Sequence, residues 1–216
     1  MPTKRDTYRH GDLRRAVLQA SIELIESDGL SALSLREVAR RVGVTHGAPY
    51  HYFPDRAALL RAVADEGFTQ LGQTMAAEVS SATEPLAELM ACGMGYVRFG
   101  IDNPGLFRLM FRPELTGIQP QNAPESFLDS WQILIEAVQH CQAAGYATGI
   151  PSTTLATLCW STVHGLTTLW VDRPLRPADD GVDSDATRGE NSQEWDLARD
   201  VVGLLNNLIA NRLASD

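Results

Sequence analysis

The chain has 216 residues, 44% of them hydrophobic, which suffices for one large or two small buried cores. Its formal net charge of −9 would argue against nucleic acid if the acids were spread evenly. No apolar run approaches the roughly 20 residues that cross a bilayer, and MPTKRDTYRHGDLRR has no hydrophobic signal region behind its charges, so a soluble cytoplasmic protein without a membrane partner is expected.

Leu13, Ala16, Val17, Ala20 and Leu24 recur at helical spacing and predict a first helix that Asp28 and Gly29 end. Ser34 and Glu37 form a capping-box pattern just ahead of Val38, Ala39 and Val42 at core-facing spacing, and Gly43 stops the helix they start. Thr45 can cap the next short helix. Its outward positions His46, Gly47, Ala48, Tyr50 and His51 combine small residues with polar groups able to reach base edges or phosphates. Pro49 removes a backbone donor there and predicts a rigid, partly irregular element. Pro54 breaks the chain, Asp55 caps a long helix through Leu59, Leu60, Val63, Phe68 and Leu71 toward Ser80, and Pro85 opens another toward Ile101. Residues 106–111 read as a short helix, 112–124 as a loop, and 126–144, 151–171 and 194–213 as further helices. The Pro-, Asp- and Gly-rich stretch 172–192 has the composition of an exposed loop. With no alternating strand pattern and no internal repeat, the expected fold class is all-α.

The acidity is not even. Residues 1–62 hold ten Lys and Arg against seven acids, a local charge of +3 that leaves −12 on the other 154 residues. A basic head on an acidic body concentrates the attraction for phosphate at one end, although a run of arginines can also be a solvated helix face.

From Ser34 onward the chain resembles the DNA-binding domain of TetR-type transcriptional regulators. The resemblance lies in a long first helix, a capped second helix, a short recognition helix and the run Tyr50, His51, Tyr52, Phe53 and Arg56. Tyr52 stands where that family often has histidine and Arg56 where it usually has lysine; both can still donate to a phosphate. The resemblance implies an N-terminal three-helix head over residues 1–55, followed by a ligand-binding and dimerisation bundle over 56–216. Its candidate contacts to a double-stranded DNA operator are Ser34, Arg36, Thr45, His46, Gly47, Tyr50, His51, Tyr52 and Arg56. The sign of regulation it implies is repression.

The body carries a second resemblance. Trp160, His164 and Gly165, with Tyr96-Val97-Arg98-Phe99 and the run from Asn103 to Phe111, look like the WHG-type C-terminal domain of one TetR subgroup. That likeness implies a ligand-responsive dimer whose small-molecule effector has apolar character. Trp160 and His164, four apart, share one helix face, and Gly165 would let a neighbouring helix come close. Met94, Phe99, Phe107, Met110, Trp131, Trp160 and His164 are the candidate pocket lining; the same residues also fit ordinary core.

Two wide apolar stripes predict a dimer interface. One runs through Leu155, Leu158, Thr162, Val163, Leu166 and Leu169, the other through Leu197, Val201, Leu205, Leu208 and Ile209. A two-fold dimer would present two recognition elements to palindromic half-sites roughly 34–36 Å apart. An enzyme is not expected, since the histidines and serines fall in no nucleophile, phosphate-loop or metal-ligand pattern, and neither cofactor nor metal is implied. Cys92, Cys141 and Cys159, widely spaced in apolar context, read as core thiols. A helical interaction module that does not bind DNA is the alternative, but it leaves the outward polar set unexplained.

Overall fold

A computed structural model describes residues 10–172 and 193–211. Among them there is no strand, and the fold class is all-α as expected. The helices are α1 (His10–Asp28), α2 (Leu35–Val42), α3 (Arg56–Val79), α4 (Pro85–Asp102), α5 (Pro104–Met110), α6 (Pro113–Thr116), α7 (Glu125–Ala143), α8 (Ser152–Val171) and α9 (Gln193–Asn211). Short 3-10 turns cover Leu30–Ala32, Ala48–His51 and Pro120–Asn122. The loop expected at 172–192, apart from its first residue, and the predicted end of the last helix at 212–213 lie outside the described residues.

The described residues form two compact units. The first takes the chain up to Gly67 together with Asn103–Pro124, and the second takes Phe68–Asp102 and the chain from Glu125 onward. Within the first, α1 packs on α2 and α5 around Val17, Leu24, Leu33, Val38, Leu59, Val63, Leu106 and Leu109, all buried. Gly29, at φ 80°, breaks α1 where the sequence says it should. Helix α5 is held by the Glu26 carboxylate, which accepts from the amides of Gly105 (3.0 Å) and Leu106 (2.8 Å) and so satisfies two free donors of its first turn. A Cβ at position 105 would lie 3.0 Å from the Ile25 carbonyl oxygen and 2.9 Å from Ile25 Cγ2, so only glycine lets α5 approach α1 this closely.

The stretch 112–124 is more ordered than the loop expected there. Pro113 is pre-set for a first helical position, Gly117 ends α6 in the left-handed region at φ 65°, and Gln119 and Asn122 cap the following turn reciprocally. Arg61 then donates to the carbonyls of Gly117 (3.2 Å) and Asn122 (2.8 Å). Composition signalled turns, and local caps within them are joined by the bonds from Arg61, 56 and 61 residues earlier in the chain.

In the second unit α4 is the central helix, packed against α7, α8 and α9, with Phe68, Phe99, Val97 and Leu155 fully buried. Cys92, Cys141 and Cys159 are free and buried, and burial pushes their thiols up to about 12, 11 and 12, which leaves them unreactive core groups.

Candidate nucleic-acid interface and ligand site

Ser34 begins the candidate interface. Its Oγ accepts from the Glu37 amide at 3.1 Å, while the Glu37 carboxylate turns to Arg40 instead of reaching back, so the expected capping box is one-sided. Gly43 closes α2 at φ 78°, where its amide and that of Val44 both return to the Ala39 carbonyl. Thr45 does not cap the next element with its side chain: its carbonyl accepts from Ala48 at 3.0 Å, and the Ala48–His51 turn, with Pro49 in its first turn, is 3-10 and without a side-chain cap. Pro49 is buried beneath it, whereas Thr45, His46, Gly47, Tyr50 and His51 are exposed. Tyr50 presents a large ring there, 52% exposed. Tyr52 is half-buried, its ring tilted against that of Phe53.

The arginines divide sharply. Arg14 lies over the Phe53 ring, Arg40 pairs with Glu37, Arg41 reaches Asp28 and Ser27, and Arg61 holds the 117–122 turns. Arg56, expected at a phosphate, donates from Nε to the Leu33 carbonyl (2.9 Å) and from Nη2 to that of Leu30 (3.0 Å). Arg36 is exposed and engages no described residue. Lys4, Arg5 and Arg9 lie outside the described residues.

In the second unit three of the seven candidate pocket residues gather. Trp131 of α7 stands edge-on to Trp160 of α8 at 5.9 Å between ring centroids, and His164 follows Trp160 on the same face at 5.6 Å. The sequence reading missed two partners. Phe127, four residues before Trp131 on α7, meets both Phe68 and Trp160, and Tyr96 of α4 supplies the polar centre. Trp160 Nε1 donates to Tyr96 Oη (3.3 Å), and Tyr96 Oη lies 2.7 Å from His164 Nδ1. An indole N–H only donates, so the tyrosine oxygen accepts from Trp160, and the direction of the Tyr96–His164 bond follows the tautomer of the neutral imidazole. Burial lowers the His164 pKa and favours the neutral ring. Met94 is half-buried and Phe99 fully buried on α4. Phe107 and Met110 sit in the other unit, buried in its core, with Met110 packed where α3 carries Gly67.

Two descriptions from known families match the chain: residues 17–63 match "Bacterial regulatory proteins, tetR family", and residues 89–188 match "Tetracyclin repressor-like, C-terminal domain". The chain belongs to the tetR family. The HTH-type transcriptional regulator BetI of Pectobacterium carotovorum is 33% identical over 84 residues, 38% of this chain and 43% of BetI. The nucleoid occlusion factor SlmA of a Marinomonas species is 26% identical over 113 residues, 50% of this chain and 55% of SlmA. The chain thus spans about half the length of these curated relatives. A protein of unknown function from Rhodococcus sp. RHA1 has a similar structure, with a TM-score of 0.75 at 30% identity over 98% of this chain and 100% of that one. FadR from Bacillus subtilis, solved in complex with stearoyl-CoA, shares the fold at a TM-score of 0.66 and 17% identity, over 88% of this chain and 96% of FadR.

In this tetR-family chain the predicted apolar stripes split between inside and outside. Leu155, Val163, Leu166 and Ile209 are buried within the chain, whereas Leu158 (52%), Leu169 (48%), Leu197 (39%) and Leu208 (63%) are exposed, and Leu204, outside the predicted stripe, is exposed beside them (62%). A stripe that wide covers more than one partner's worth of helix surface, so its inner half packs on the chain's own core. The outer half reads 158, 162, 165, 169 on α8 and 197, 201, 204, 208 on α9, the same spacing on each. A Cβ on Gly165 would meet nothing within 4 Å among the described residues, so the close helix approach expected there is not made by any described helix of the chain.

Proposed function

We propose that this chain is a transcriptional repressor that binds a palindromic DNA operator as a homodimer and is released by a small effector of apolar character. The observation that carries the DNA reading is the run Thr45, His46, Gly47, Tyr50 and His51, exposed together between capped helices above a buried proline, with exposed Arg36 on the preceding helix. That arrangement offers base-edge and phosphate contacts where a helix-turn-helix enters a major groove. Ser34 adds a hydroxyl proton beside it, its oxygen already accepting from Glu37.

The homodimer is supported by the exposed leucines of α8 and α9, whose matched spacing and open Gly165 suit a second copy of the same two helices. The effector is assigned to the aromatic cluster of Phe127, Trp131, Trp160 and His164, where a neutral imidazole and a tyrosine hydroxyl give an apolar site a polar anchor.

The test is selection of duplexes from a random pool by the purified protein, followed by gel shift and sedimentation. A two-fold symmetric consensus bound by an even number of chains is expected. Failure to enrich any sequence would leave the interaction module as the better reading.

A further inference from the structure

We infer that Arg56 is a positioning residue that closes the helix-turn-helix on itself, and does not act by neutralising a phosphate. The inference rests on the DNA-binding reading above. Arg56 is the first residue of α3, the point at which the chain leaves the recognition element, and Asp55 beside it caps that helix through the Ala58 amide at 2.8 Å. Its guanidinium reaches back 23 residues to the Leu33 carbonyl and 26 residues to the Leu30 carbonyl. The Leu33 carbonyl directly precedes Ser34, the cap of α2. The Leu30 carbonyl belongs to the 3-10 turn that leads from α1, and also accepts from the Leu33 amide at 3.3 Å.

One side chain therefore ties the beginning of the segment 34–55 to its end. Leu33, 1% exposed, and Leu35, 5% exposed, anchor the same corner in the core, so the brace acts on a fixed point. The planar fork of arginine can hold two carbonyls on one turn at once, which a lysine ammonium cannot do with the same geometry. Charge-assisted bonds of this kind are among the stronger ones available to a small domain. The segment they close carries every exposed candidate contact from Arg36 to His51.

A phosphate contact and a brace make different demands. A phosphate contact needs positive charge, so Arg56→Lys should largely preserve it and Arg56→Ala should lower the salt slope of binding by about one unit. A brace needs the fork, so both variants should fail alike while the slope stays that of the wild type. The experiment uses a duplex selected by the wild-type chain, a random duplex of equal length, and Arg36→Ala as the charge control.

Under the inference, R56K and R56A each lose about tenfold or more in affinity for the selected duplex. Their affinity for the random duplex changes far less, their salt slopes match wild type, and R36A alone shows the reduced slope. If R56A does not fold, R56K carries the comparison. The inference is overturned if R56K binds like wild type, or if R56A lowers the slope by about one unit. A wild-type chain that selects no duplex would instead overturn the DNA-binding reading, and the two failures are thus distinguishable.

Discussion

Tyr96 of α4 and His164 of α8 meet Oη to Nδ1 at 2.7 Å, and Trp160, one turn before the histidine, donates to the same tyrosine oxygen. Two helices of the second unit are thus joined by a polar chain inside a ring of aromatic side chains. Burying these groups without partners would cost more than their bonds return, so the three are expected to act as a unit. Tyr96→Phe should destabilise the chain by about 1–3 kcal/mol, measured by urea unfolding, because the acceptor for Trp160 and the hydrogen-bond partner of His164 vanish together. A loss under a few tenths would mean the pair is ornamental.

The same pair fixes a pH dependence. Burial depresses the His164 pKa below its ordinary 6.5, so the unfolded chain binds this proton more readily than the folded one. Stability from the group is complete above about pH 6.5 and declines as pH falls toward the folded pKa. Melting temperatures at pH 7.5 and 5.5 should therefore diverge more in wild type than in His164→Gln. Equal divergence in both would remove His164 as the source.

Arg36 offers the cleanest test of the interface. It is exposed, on α2, and held by no described residue, so Arg36→Ala should leave the melting temperature within error and lower the salt slope of operator binding by about one unit. Tyr50→Ala, also exposed, should weaken binding to the selected duplex at an unchanged slope. Unaltered binding in both would move the contact surface elsewhere on the head.

Much of this was legible in the sequence because it rests on local chemistry. Gly29, Gly43, Asp55 and Pro85 mark helix ends by backbone geometry or by capping, and each lies at an observed boundary. What escaped was set by partners far away in the chain. Nothing near Arg56 announces that its fork will turn to Leu30 and Leu33, and nothing near Glu26 announces that it will cap α5. The same holds for Phe107 and Met110: their aromatic and thioether character suits a pocket as well as a core, and only the tertiary fold places them in the first unit. Apolar periodicity likewise could not say which half of each stripe on α8 and α9 faces inward.

That division changes how assembly should be tested. Leu166, an obvious choice from periodicity, is buried, and a charge there would unfold the protomer before it reported on any interface. Leu204→Glu and Leu208→Glu are exposed and should leave the fold intact while converting a dimer to monomers in sedimentation, with loss of tight operator binding. Gly165→Ala should weaken the dimer in the same way, since a Cβ there meets no described residue within 4 Å and leaves the fold of the chain itself undisturbed. Dimers that survive all three substitutions would exclude this face.

Induction gives the last test, and the two units make it discriminating. A compound that raises the wild-type melting temperature and releases the selected duplex would serve as the working effector, with a coupling of about 1–3 kcal/mol between the two ligands. Trp131→Ala and Trp160→Ala remove half-buried rings from the cluster around Tyr96 and His164, and should shift the release curve while the fold and operator affinity persist. Phe107→Ala removes a ring buried in the first unit, so it should cost about 3–5 kcal/mol of stability as a core truncation does. It should leave the effector concentration for half-release unchanged wherever the protein stays folded. Release curves that move with Phe107 and not with either tryptophan would reverse the assignment and put the effector against the first unit.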